Sequence, residues 1–95
     1  MVVGVLRLDL LLFAPQNLKE KRSVVKRLLG RCRELFPVSV AETGLQELWQ
    51  RTELGFAMVA GDEAMVQGVF GRIEEEIHRL GVAEISERFT EFLHY

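Results

Sequence analysis

The alternation of apolar side chains in the first twelve residues constrains the fold of this chain most. Leucines occupy every second position from residue 6, namely Leu6, Leu8, Leu10 and Leu12. Arg7 and Asp9 stand between them. Because successive side chains of a β-strand point to opposite faces, this period of two predicts a strand over residues 2–13 whose leucines face a core. The two charges also make the segment too polar to span a bilayer or to form the core of a signal peptide.

Two amphipathic helices are predicted further along the chain. The first begins near Leu18, because Asn17 and Glu20 have the spacing of a capping box, and Pro37 prevents it from continuing. Its apolar stripe comprises Val25, Leu28, Leu29, Cys32, Leu35 and Phe36. The second helix follows the turn and N-cap at 61–62 and ends at Gly81. Its stripe comprises Val66, Val69, Phe70, Ile73, Ile77 and Leu80.

The remaining apolar runs predict three more strands. Residues 38–42 and 54–60 form a hairpin with a long or partly helical loop, and residues 82–95 fit a helix or a bulged strand, of which we favour the strand. The order β-α-β-β-α-β predicts an α+β, ferredoxin-like sandwich, with two helices on one face of a four-stranded antiparallel sheet and the other face open. Length and the lack of a Pro/Gly/Ser-rich linker favour a single domain over residues 1–95.

Composition and motifs exclude several classes of function. A formal net charge of -2 creates no global field that would attract nucleic acid or an acidic membrane, so such binding needs a local patch. The lone Cys32 indicates a reducing compartment, and we expect a cytoplasmic protein in which this thiol is packed in the core. No P-loop, dinucleotide-binding or metalloprotease motif occurs, and no motif places a nucleophile beside His78 or His94. We therefore expect no catalytic residues, no cofactor, no metal, no membrane partner and no DNA specificity.

The strongest local signal is a basic first helix. Seven of the twelve basic residues lie within fifteen positions, where only Glu20 opposes them. The candidate contacts to RNA or another anion are Lys19, Lys21, Arg22, Lys26 and Arg33. A row of cations along a helix can contact successive phosphates. The alternative interpretation is that these charges form the solvated face of the helix or pair with another subunit.

The loop of the hairpin supplies a second candidate site. Its candidate partner-binding residues are Gln46, Trp49, Gln50 and Arg51. Tryptophan beside arginine is typical of interaction hot spots, although a loop can equally use tryptophan to cover the end of a small core. The following segment, 55–59, half matches an RNA-recognition strand, but Met58 stands where a second aromatic residue is needed. We therefore predict that Phe56 and Met58 are core or interface residues.

Four blocks in the same order resemble the YlxP-like family of uncharacterised bacterial proteins. They are residues 3–9, residues 18–25, residues 38–42, and Trp49-Gln50-Arg51 before Leu54-Gly55. The resemblance spans nearly the whole chain and implies a ferredoxin-like fold in a small cytoplasmic protein of unassigned function. It also implies a gene often found near translation-initiation and ribosome-maturation genes, and no established catalytic residues. One departure is Gly44, where many relatives are expected to carry an acidic residue.

Two functional hypotheses follow. The first is a non-enzymatic binding protein whose basic helix and Trp49 loop contact ribosomal RNA or a ribosome-assembly partner. The second is a self-associating module, a homodimer through the open sheet face or an edge strand, with a small ligand or protein partner. The outward side of the first strand motivates it, because Val3, Val5 and Leu11 would form an exposed apolar patch. An acidic second half, with eight carboxylates from residue 62 onward, could complement the basic helix of another copy.

Overall fold

A computed structural model describes residues 1–95 and has six elements in the order β-α-β-β-α-β. They are β1 (Val2–Leu12), α1 (Leu18–Leu35), β2 (Ser39–Gly44), β3 (Arg51–Ala60), α2 (Glu63–Leu80) and β4 (Ala83–His94). The predicted α+β, ferredoxin-like class is confirmed, and the ambiguous last segment is a strand.

The four strands form one antiparallel sheet in the order β2-β3-β1-β4, so β1 and β3 are central and β2 and β4 are the edges. β3 begins at Arg51, three residues earlier than predicted, because its pairing with β1 continues to Leu11. The connecting loop therefore spans only residues 45–50, and Arg51 lies in a strand rather than in that loop. A bulge in β4 leaves Ser86 unpaired, and its hydroxyl donates to the backbone carbonyl of Asp9 at 3.0 Å.

The start of α1 is fixed by its cap. The side chain of Asn17 accepts a hydrogen bond from the Glu20 amide at 2.9 Å, and the Glu20 carboxylate accepts one from the Gln16 amide at 2.7 Å. The predicted apolar stripe is wrong at Leu35, which is 43% exposed. The helix ends there, and Phe36, already outside it, packs against the core instead.

α2 approaches the sheet closely over β1. A Cβ atom on Gly4 would overlap Cγ1 of Val66, so only a glycine permits this approach. Eighteen buried apolar residues form one cluster between the helices and the sheet. Phe56 and Met58 belong to it, which confirms their prediction as core residues. Neither helix is long and apolar enough to cross a membrane.

Candidate functional site

The basic residues of α1 do not all reach the surface, because Lys21 is buried. Its Nζ lies 3.0 Å from Oε2 of Glu42 and donates to the carbonyl of Leu45 at 2.6 Å, and its side chain is 1% exposed. The same Glu42 oxygen accepts a hydrogen bond from Thr52 at 2.6 Å. The predicted anion contact at Lys21 is therefore wrong. Lys21 precedes Val25 by four positions, so it lies on the apolar stripe that faces the sheet.

The other predicted cations of α1 form a row along one side of the helix. At 100° per residue, Lys19, Arg22, Lys26 and Arg33 fall within a sector of about 60°. Arg33 shows which way this row faces, since its Nη2 donates to the carbonyl of Val40 in the edge strand β2 at 3.0 Å. Lys19, Arg22 and Lys26 are exposed, and none of them forms a salt bridge. We call these four residues the basic row.

A groove between the two helices adjoins the basic row at Lys26. This interhelical groove has a volume of about 470 Å³ and is lined by Lys26, Arg27, Gly30, Arg31, Glu34, Arg79 and Leu80. No atom lies within 4 Å of the position that a Cβ of Gly30 would take, so the groove is open there. Four cations line this groove, of which only Lys26 was in the predicted set, and the other three are Arg27, Arg31 and Arg79.

Two of the cations in the interhelical groove, Arg31 and Arg79, share the carboxylate of Glu76. Arg31 Nε lies 2.9 Å from Glu76 Oε2, and Arg79 donates through Nε and Nη2 at 2.8 and 2.6 Å. These hydrogen bonds lower the pKa of Glu76 from 4.5 to about 2, and those from Arg79 have the largest effect. Glu76 is therefore ionised at neutral pH. With Glu34, it offsets two of the four cations and leaves the groove with a net charge of +2 (four minus two).

The predicted partner-binding loop lies at the end of the molecule where α1 begins. Lys21, in the first turns of α1, donates a hydrogen bond to the carbonyl of Leu45. The backbone of Leu45 has a φ of 58°, which is unusual for a residue other than glycine. The carbonyl of Gln50 accepts a hydrogen bond from Leu12 at 2.8 Å. Trp49 is 42% exposed, and Gln46 and Gln50 are exposed as well. The structure thus brings the Trp49 loop to the N-terminal end of the basic row.

Arg51 is not part of this loop surface. It pairs in β3, and its Nη2 lies 3.5 Å from the hydroxyl of Ser86 at the bulge of β4. The sequence analysis grouped Arg51 with the loop because it predicted that β3 begins three residues later than it does.

The other candidate reactive groups lie apart from one another. Cys32 is buried in the core as predicted, and burial, aided by the charge of Glu76, raises the pKa of its thiol to about 11. His94 lies 2.5 Å from Glu63 at the start of α2, whereas His78 belongs to the last turn of that helix. No group of three His, Cys, Asp or Glu side chains is arranged to hold a metal ion.

Comparisons with known proteins give the context of this surface. The model of a family described as "Protein of unknown function (DUF503)" matches residues 3–88. The "Uncharacterized protein YlxP" of Bacillus subtilis (strain 168) is 35% identical over 72 residues, which are 76% of this chain and 78% of that protein.

Solved structures extend the comparison to the fold alone. One described as "Structural Genomics, protein YJCS" has a TM-score of 0.64 at 12% identity, over 97% of this chain and 99% of that one. A C-terminal segment of the alpha subunit of aIF2 from Pyrococcus abyssi has a TM-score of 0.54 at 20% identity, over 98% of this chain and 51% of that one.

Proposed function

The chain belongs to the DUF503 family of proteins of unknown function, and we propose that it is a non-enzymatic, cytoplasmic binding protein that contacts ribosomal RNA through the exposed surface of α1. The observation that carries this proposal is a set of unpaired cations on an otherwise acidic chain. Lys19, Arg22, Lys26 and Arg27 are all exposed, and none forms a salt bridge. Unpaired surface cations are available to displace counterions from phosphates.

The arrangement of these cations favours contact with a phosphate backbone over reading of a base sequence. From Lys19 to Lys26 the helix rises by about 10 Å, so the basic row can follow several phosphates. The interhelical groove continues this surface on the other side of Lys26. There Arg31 uses only its Nε in the hydrogen bond to Glu76, which leaves both Nη groups as donors for a phosphate oxygen.

The Trp49 loop adds a contact of a different kind. An exposed tryptophan next to a cationic surface can stack on an unpaired base, and such stacking tolerates any sequence. The expected ligand is therefore a single-stranded or loop region of RNA. The choice of ribosomal RNA, or of a ribosome-assembly partner that carries it, follows from the gene neighbourhood that the family resemblance implies.

Charge reversal on the basic row tests this proposal. We expect Arg22→Glu combined with Lys26→Glu to raise the Kd for fluorescently labelled fragments of ribosomal RNA by at least about tenfold, measured by anisotropy. The matched control is Arg51→Glu with Arg72→Glu, which makes the same change in net charge at two other exposed positions. Circular dichroism melts establish that both variants are folded. Unchanged affinity in the folded test variant, or equal losses in both variants, would contradict the proposal.

Sucrose gradients test the ribosomal part separately. We expect the wild-type protein in native lysate to comigrate with a ribosomal subunit or its precursors at low salt and to dissociate at high salt. The Arg22→Glu, Lys26→Glu variant should remain in the free fractions at both salt concentrations. A wild-type protein found only in the free fractions would contradict ribosome association.

Self-association through an edge strand is the second candidate function. The observation that favours it is β4, which has twelve residues, forms an edge of the sheet and has Ala83 as its sole buried residue. Long unpaired edges are templates for pairing with another chain. The other edge, β2, has six residues, and Arg33 occupies its Val40 carbonyl. A purely monomeric sedimentation profile at tens of micromolar would exclude a β4-paired homodimer.

A further inference from the structure

The sheet face opposite the helices carries an apolar half and an acidic half. Directly opposed residues of antiparallel strands share a face, so the pairing of β3, β1 and β4 defines rows across this open face. The row nearest the start of β1 is Val59, Val3 and Leu93. Six residues further along β1, the row is Glu53, Asp9 and Glu87.

The apolar half is exposed rather than covered by a neighbouring element. Val59 is 61% exposed, Phe89 45% and Leu93 39%. Phe89 lies opposite Arg7, whose guanidinium carbon is 5.1 Å from the centre of the phenyl ring. The side chains that pack in the core lie on the other face, so no element of this chain covers these apolar groups, among which Glu91 lies opposite Val5.

The acidic half has far more negative charge than this face can neutralise. Its carboxylates are Asp9, Glu53, Glu84 and Glu87, against which only Arg51 lies in the same half. Four minus one leaves this half with a net charge of -3, and the charges of Arg7 and Glu91 in the apolar half cancel, so the whole face also has a net charge of -3. Arg7 is 3.7 Å from Glu53, and Oδ1 of Asp9 is buried without any hydrogen-bond partner. Like charges directly opposite one another destabilise a sheet, so this row gains from a cationic partner.

These charges decide between the possible occupants of the open face. RNA would be repelled by a net negative surface. The same face of a second copy would bring two surfaces of charge -3 together, which opposes a face-to-face dimer. A protein segment with both apolar and basic side chains complements both halves.

We propose that the open face binds an amphipathic helix of another protein, apolar in one half of its length and rich in lysine or arginine in the other. The dimensions agree with a helix lying along the strands. Val3 and Asp9 are about 20 Å apart at the rise of a strand, which corresponds to about 13 helical residues. The width from β3 to β4 is about 10 Å, close to the diameter of one helix. The sheet would then be covered by helices on both faces.

A pair of designed peptides tests this proposal on the full chain. The first is a 15-residue helical peptide with leucines on one side of its first half and lysines on the same side of its second half. The second has glutamate in place of each lysine. We expect isothermal titration calorimetry to give at least tenfold tighter binding of the lysine peptide, and its salt dependence to match an electrostatic contact. Equal binding of the two peptides would overturn the proposal.

Variants locate the binding site. We expect Glu87→Lys to weaken binding of the lysine peptide at least fivefold, whereas Glu75→Lys, an equal change at an exposed position of α2, leaves it unchanged. Phe89→Ser with Leu93→Ser should weaken it similarly, and Leu35→Ser with Leu48→Ser should not. Binding of RNA fragments should be the same in Glu87→Lys as in the wild type. Equal effects of Glu87→Lys and Glu75→Lys, or a homodimer that Phe89→Ser with Leu93→Ser dissociates, would overturn the proposal.

Discussion

At the scale of single residues, Lys21 is the position where burial and charge conflict most. Removing a cation from water is costly, and the cost is offset here by Glu42 and by the carbonyl of Leu45. The contact also ties α1 to the start of the Trp49 loop. The pair therefore has a structural role, and its members should affect stability far more than any cation of the basic row.

Removing the carboxylate tests this role. We expect Glu42→Ala to lower the free energy of unfolding by about 3 kcal/mol, because it leaves a buried ammonium without its counter-charge. Urea denaturation followed by circular dichroism measures the change. Replacing both partners, Lys21→Met with Glu42→Leu, should recover most of the loss, since an apolar pair needs no counter-charge. A loss below about 0.5 kcal/mol, as expected for the exposed control Glu75→Ala, would show that the pair contributes little.

Glu76 predicts a specific dependence of stability on acid. Its pKa is about 2 in the folded protein, compared with 4.5 ordinarily, because Arg79 and Arg31 donate hydrogen bonds to its ionised form. Folding therefore gains stability from this group above pH 4.5, and loses it as the pH falls from 4.5 towards 2. We expect Glu76→Gln to be less stable than the wild type at pH 7 and the difference to shrink over that interval. NMR titration of the carboxyl carbon measures the midpoint directly, and a value near 4.5 would contradict the assignment.

Local signals in the sequence are sufficient for some residues and insufficient for others. The N-cap side chains of Asn17 and Asp62 accept hydrogen bonds from backbone amides only three positions further along, so their role can be predicted from the local sequence alone. The burial of Lys21 depends on a carboxylate 21 positions further along the chain. The sequence signal that could have indicated this burial is the position of Lys21 on the apolar stripe of α1. Arg79 gave no such signal, because its part in the interhelical groove exists only once the two helices are adjacent.

At the scale of elements, the contact between α2 and β1 depends on Gly4. Helix and strand approach so closely there that a methyl group would occupy the space of Val66. By contrast, Gly68 of α2 has open space around its Cβ position. The two glycines therefore have opposite roles, one required by packing and the other unfavourable to its helix.

Alanine substitutions distinguish these roles. We expect Gly4→Ala to lower the free energy of unfolding by about 2 kcal/mol, because α2 must move or Val66 must leave its preferred rotamer. Val66→Ala should rescue part of this loss by removing the overlapping group. Gly68→Ala should instead raise stability by about 0.5 to 1 kcal/mol through its helix propensity. Denaturation midpoints measure all three, and a neutral Gly4→Ala would contradict the close approach.

The elements themselves were largely predictable, because each buries one face and its apolar residues therefore recur with the period of a helix or of a strand. The approximate helix bounds and the order of the elements along the chain follow from apolar spacing, caps and Pro37. The errors lie where pairing rather than period decides. β3 extends back to Arg51 because Leu11 continues the ladder, and the bulge at Ser86 depends on the register with Asp9. Neither pairing partner is identifiable from the strand's own residues.

At the scale of the whole molecule, charge is separated between the two faces of the sheet. The helical layer presents unpaired cations on α1, whereas the open face has a net charge of -3. The overall formal charge of -2 conceals this separation. Association with a polyanion should therefore depend on the local surface of α1 and not on the charge of the chain as a whole.

The dependence of RNA affinity on salt measures this local surface. Each phosphate neutralised on a single strand contributes about -0.7 to the slope of log K against log salt concentration, so the four unpaired cations of α1 predict a slope of about -3. Arg22→Gln with Lys26→Gln should reduce its magnitude by about half. Arg51→Gln with Arg72→Gln, an equal change in net charge at other positions, should leave it unchanged. If the net charge of the chain governed binding, both variants would change the affinity equally. The wild-type slope would also be near zero, because a chain with a net charge of -2 has no overall attraction to a polyanion and would release no counterions from it.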